Sequence, residues 1–140
     1  MHTPSKHRSK NLIRKRSLGV AVVELAVCLP VLAAILLVTI ETCLMFQLQQ
    51  NLCLTAYEGA RIGIIPGSND GLIEMQCKML LDDRDIKGYS IATNPADPSS
   101  LSPGELLQVT VSATCGPNSA FGGLLYKETT LSESVTLRAE

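Results

Sequence analysis

Few residues in this chain could do chemistry, and their spacing suits partnering better than reaction. Glu24 is a lone carboxylate inside an apolar run that opens at Val20, directly behind Gly19. A carboxylate at the centre of a bilayer costs up to about 2.5–3.5 kcal/mol, and less near the interface, so it needs a partner or a headgroup-level position. Near the positive end of the helix dipole it would cost little. Glu58 and Arg61 are three apart, which on a helix makes an ion pair worth about 0.2–0.5 kcal/mol. An enzyme would want a third group beside them, and the sequence offers none. Asp82, Asp83 and Asp85 cluster, but the alternating Asp order of a calcium loop is missing, so they read as a solvated helix end. The five cysteines, Cys28, Cys43, Cys53, Cys77 and Cys115, include no Cys-x-x-Cys, and the two histidines are His2 and His7. That excludes a zinc ligand set by spacing, and no nucleophile motif or phosphate loop is present. Enzyme activity is therefore the weakest class of function, with no cofactor implied and no small-molecule substrate.

The element that positions Glu24 is the run itself. From Leu25 to Ile40 no residue is charged, a length and composition that predict a membrane-spanning helix. Lys6, Arg8, Lys10, Arg14, Lys15 and Arg16 precede it with no acid among them. That flank predicts a cytoplasmic N-terminus and an exported remainder. Three export readings compete. A secretory signal would want a shorter apolar region and a small-x-small cleavage site. A lipoprotein signal at Leu25-Ala26-Val27-Cys28 has bulky Val27 where a small residue belongs, and the run continues past Cys28. A leader cut at its cytoplasmic end, after Gly19, leaves the helix on the mature protein and fits the basic leader, the glycine and Glu24.

Lys15-Arg16-Ser17-Leu18-Gly19 followed by Val20-Ala21-Val22-Val23-Glu24 resembles a prepilin-peptidase site of the type IV pilin class. Within that class the chain is similar to the TadE-like family of tight-adherence pilus proteins. Leu29-Pro30 early in the span, Glu41 at its far end and the segment Glu58-Gly59-Ala60-Arg61 carry the likeness, as does the ending Thr136-Leu137-Arg138-Ala139-Glu140. The resemblance is good from Gly19 to about Gly63 and loose beyond. It implies processing between Gly19 and Val20, and an assembly role for Glu24. There Glu24 would meet the new amino group of Val20, its own or a neighbour's. It implies a minor pilin or pseudopilin in the inner membrane, acting in pilus assembly and surface attachment. Its implied partners are the prepilin peptidase, other minor and major pilins, and the inner-membrane assembly platform. The alternatives are a pseudopilin of a related secretion machine, or an uncleaved single-pass anchor carrying a binding or sensing domain.

Residues 1–19 hold six of the twelve basic residues and none of the thirteen acidic ones, which leaves the remainder near −7. So acidic a remainder argues against a nucleic-acid partner. Three parts are expected: a basic leader (1–19), the span and its extension (20–63) and a small extracytoplasmic domain (64–140). The last, about 75 residues, is near the lower limit for an independent core. The helix is expected to continue past the membrane. There Ala56 with Ala60, and Gly59 with Gly63, put small residues at four-residue spacing, a pattern that admits close helix packing. The alternative is that the glycines merely weaken the helix end.

A turn cluster follows at Ile64–Gly71, with Asn69 or Asp70 placed to cap a helix from about Gly71 to Asp85. Leu72, Met75 and Met79, with Ile73, Cys77 and Leu80, are predicted to make its apolar side. Strands are predicted over Tyr89–Thr93, Glu105–Cys115 and Lys127–Arg138. The second is the clearest, alternating Leu107, Val109, Val111, Ala113 and Cys115 with polar residues. Phe121–Tyr126 is a short apolar segment read as a helical turn. The expected fold is α+β: a long N-terminal transmembrane helix, then one helix packed on an antiparallel sheet of about three strands. Cys77 and Cys115 would face one core, so they are the expected disulfide pair, with Cys53 as competitor and free thiols as the alternative.

Overall fold

The structure is a computed structural model and describes residues 9–123 and 125–139, with side chains from residue 19 onward. Helix α1 runs Ser9–Gly63 and contains Pro30. Good helix formers at Gln47, Leu48, Gln49 and Gln50 carry it past the apolar run. It ends where Gly63, Pro66 and Gly67 follow one another; Gly67 sits at φ +86°, a left-handed turn conformation open to glycine. Helix α2 (Asp70–Asp83) starts at Asn69, whose Oδ1 accepts the Leu72 N–H at 2.9 Å, satisfying one of the free donors of the first turn.

Strands β1 (Tyr89–Asn94), β2 (Leu106–Thr114) and β3 (Thr130–Arg138) form an antiparallel meander in the order β1-β2-β3. The register pairs Ile91 with Val111 and Val111 with Glu133. Leu107, Val109, Val111 and Ala113 point into the core, while Gln108, Thr110, Ser112 and Thr114 lie half-covered on the other face. There Ser90 and Ser112 hydroxyls bond across the strands at 2.8 Å. The architecture is α+β: a long N-terminal apolar helix, then one helix packed on a three-stranded antiparallel sheet.

The chain divides into two compact units, Met1–Thr39 and Ile40–Glu140. In the second unit α1 supplies Met45, Leu48, Leu52, Ala56 and Ala60 to the core, α2 supplies Ile73, Cys77 and Leu81, and β2 the rest of its centre. Small residues on α1 allow this contact. A Cβ at Gly59 would come within 2.5 Å of Cys77 Sγ, and one at Gly63 would overlap Leu107 Cδ2 and lie 2.7 Å from Ile73 Cδ1. The glycines thus serve close packing rather than merely weakening the helix end.

Three sequence expectations need correction. The covered face of α2 is Ile73, Cys77 and Leu81; Leu72, Met75 and Met79 form a second stripe that is exposed, Met79 to 60%. Phe121–Tyr126 is irregular where it is described; the short helical turn is 3-10 and lies earlier, at Gly116–Asn118. Cys77 and Cys115 are both buried free thiols. Cys77 packs beside Gly59, whose neighbour on the sheet is Val109. Val109 and Cys115 are six residues apart, about 20 Å along an extended chain, and a disulfide needs Cα atoms within about 7 Å. Sharing a face did not bring the two thiols to the same height.

A candidate assembly segment on helix α1

The residues marked out by the sequence lie on α1, in two groups. Gly19, Val20 and Glu24 belong to the first unit. The stretch Gly19–Gly63 is the one described helix long and apolar enough to cross a membrane. From Val20 to Ile40 every side chain is exposed, and the 21 residues span about 31 Å at helical rise, matching a hydrocarbon core of about 30 Å. Glu24 is exposed in this apolar surface and makes no hydrogen bond or ion pair among the described residues. It lies one turn after Val20. Gly19 is helical, and a Cβ there would meet nothing within 4 Å. Nothing in the packing around Gly19 asks for glycine, although glycine in a helix interior costs about 1 kcal/mol relative to alanine. Part of the expected leader, residues 1–8, lies outside the described residues, as does Glu140 of the closing motif.

The second group sits in the second unit. Glu58 and Arg61 point outward and pair at 3.7 Å, while Gly59 and Ala60 between them are buried against α2 and β2. Glu-Gly-Ala-Arg is thus two small inward residues framed by an outward ion pair. An exposed pair of this kind adds little stability.

Two further polar contacts were not readable from the sequence. Glu41, the first ionisable residue after the apolar run, is only 1% exposed. It accepts from Ser119 Oγ at 3.4 Å and from the Leu125 N–H at 3.3 Å. Ser119 in turn accepts the Gly123 N–H. The loop between β2 and β3 is therefore fastened to α1 by one buried carboxylate. Glu133, on the inward side of β3, accepts from Gln49 Nε2 of α1 at 2.7 Å. Spacing along the chain gives no sign of either, because the partners lie 78 to 84 residues apart.

Burial pushes the Cys77 thiol up to about 11, and its Sγ–H points to the Thr55 carbonyl at 3.7 Å. Burial also raises the Cys115 thiol. Both are poor nucleophiles at neutral pH, since the thiolate is the reactive form. A hydrogen bond from its hydroxyl to Asp82 raises Tyr89. An open pocket of about 320 Å³ lies between α1 and the turns after α2 and β2; in it Arg84 Nη1 donates to Asn51 Oδ1 at 2.7 Å. Among the described residues no group of three or more His, Cys, Asp or Glu could hold a metal ion.

No curated protein and no solved structure matches the chain. Residues 19–61 match the model of the TadE-like protein family, a stretch that takes in Gly19, Glu24, Glu41 and Glu58–Arg61. The match implies a role in Tad pilus assembly, and proteins of this family are generally non-enzymatic. It is over this segment, residues 19–61, that the chain is similar to the TadE-like protein family.

Proposed function

We propose that the protein is a minor pilin, or pseudopilin, of a tight-adherence pilus. It is inserted in the inner membrane with its N-terminus cytoplasmic, trimmed by a prepilin peptidase between Gly19 and Val20, and taken up with other minor and major pilins at the inner-membrane platform. The observation that carries this reading is a pair of residues at the head of one exposed apolar helix. Packing does not require Gly19, and Glu24 has no partner among the described residues. Glycine lets a peptidase approach the backbone closely. Cleavage creates an ammonium at Val20 that can pair with Glu24 of the same or an adjacent helix, offsetting the cost of a carboxylate in an apolar setting. Such a pair would set adjacent helices in register.

Glu24→Gln keeps the shape and removes the charge. Insertion and cleavage should persist, while surface piliation and crosslinking to other pilins fall. Wild-type piliation and crosslinks in Glu24→Gln cells would remove the pairing role.

A further inference from the structure

The loop between β2 and β3 carries apolar residues that the fold leaves uncovered. Phe121 is 50% exposed and Leu125 51%. Between them Gly122 and Gly123 take φ +69° and +75°, left-handed conformations open to glycine, at what is termed the tip of the loop. The tip is fastened from inside: Leu125 N–H and Ser119 Oγ both donate to Glu41, and Gly123 N–H donates to Ser119. Glu41 has a known place in the chain. It follows Ile40, the last residue of the exposed stretch Val20–Ile40, whose 21 residues match a hydrocarbon core in length. Whatever is hydrogen-bonded to Glu41 therefore lies where the helix leaves the apolar layer. Phe46, the other phenylalanine of the chain, is 62% exposed and follows Glu41 by five residues, about 7.5 Å of helix, still within the headgroup layer.

We propose that Phe121 and Leu125 dip into the headgroup–acyl boundary of the bilayer that holds α1, so that the loop is a second membrane contact beside the span. The occupant is lipid because the loop's anchor is the residue at the span's end. Apolar side chains at that level gain by burial in the boundary. Glu41 acts as a positioning residue, holding the tip at that depth. The inference rests on the reading of α1 as a membrane span.

The chain has no tryptophan, so one introduced residue reports its own surroundings. The full-length protein carrying Phe121→Trp is reconstituted in phosphatidylcholine–phosphatidylglycerol vesicles with acyl chains brominated near the glycerol. Leu125→Trp gives an independent second reading, and Met79→Trp on α2 serves as the reference. Alkaline carbonate extraction of the same vesicles reports whether the helix is integrated. The expected result is that both tip variants lose most of their tryptophan fluorescence to the brominated chains, with the α2 reference unchanged. Integrated protein with unquenched, water-like emission from both tip variants overturns the proposal. Blue-shifted but unquenched emission overturns it too, since a protein neighbour would then cover the tip. Protein released by carbonate would overturn the span reading and this inference together.

Discussion

The two halves of α1 differ in apolar content, 18 of 21 residues from Val20 to Ile40 against 12 of 23 from Glu41 to Gly63, and have opposite surroundings. From Val20 to Ile40 Leu, Val and Ile are exposed all round the helix. From Glu41 to Gly63 one stripe, Met45, Leu48, Leu52, Ala56 and Ala60, is buried in a core shared with α2 and β2, while Phe46, Leu54 and Tyr57 stay exposed. The carboxylates follow the same division. Glu24 is exposed with no partner among the described residues, whereas Glu41 is buried and holds a loop. So do the glycines: Gly19 has open space where its Cβ would be, and Gly59 and Gly63 have none. Composition and periodicity both separate them: a helix apolar all round belongs in lipid or against other helices, and one of mixed composition with a buried apolar stripe belongs against its own domain.

The division can be tested by mutating equivalent residues on either side of it, read by thermal unfolding of the full-length protein in detergent. The largest effect is expected from Leu52→Ala, which empties a fully buried site and should cost about 2–5 kcal/mol. Leu32→Ala, in the exposed half, should change head stability by less than about 0.5 kcal/mol. Equal losses would erase the distinction. Next is Gly63→Val, which forces a side chain against Leu107 and Ile73 and should cost about 1–3 kcal/mol, while Gly19→Ala leaves the unfolding of the head unchanged. Glu41→Ala strands the Leu125 N–H and Ser119 hydroxyl and should cost about 1 kcal/mol, the contacts being long. Glu41→Gln keeps an acceptor and should cost less.

The smallest effect concerns thiols. Alkylation in detergent near neutral pH should modify exposed Cys53 and spare Cys77, which waits for unfolding. The Cys77 thiol is raised from 9.0 to about 11 in the folded protein, so the unfolded chain gives up this proton first. Its contribution to stability is therefore present below pH 9 and lost as pH rises from about 9 to about 11. A Cys77→Ala variant should show a shallower decline over that window.

Much of this was readable beforehand, and the failures share a cause. The long apolar helix, the β2 alternation and the cap at Asn69 are local patterns, and each appears where the sequence places it. Helix α2 carries two stripes at helical spacing, Ile73-Cys77-Leu81 and Leu72-Met75-Met79, and nothing within the helix says which one faces inward. The choice is made by Gly59 and Gly63 on another element, which leave room for Cys77 and Ile73. The disulfide expectation failed for a related reason: alternation on β2 tells which face Cys115 is on but not how far along the strand Cys77 lies. At the candidate site, Gly19 and Glu24 stood out by type and spacing. Glu41 stood out only through the family resemblance, because its partners come from a loop far along the chain.

The central claim is that the exposed half of α1 is an assembly segment delivered by cleavage after Gly19. N-terminal sequencing of the protein extracted from the native envelope tests it most directly. The mature chain should begin at Val20, and Gly19→Leu, bulky at the cleavage position, should leave the longer form. A native protein that still carries its basic leader would contradict the account and leave the uncleaved anchor in its place.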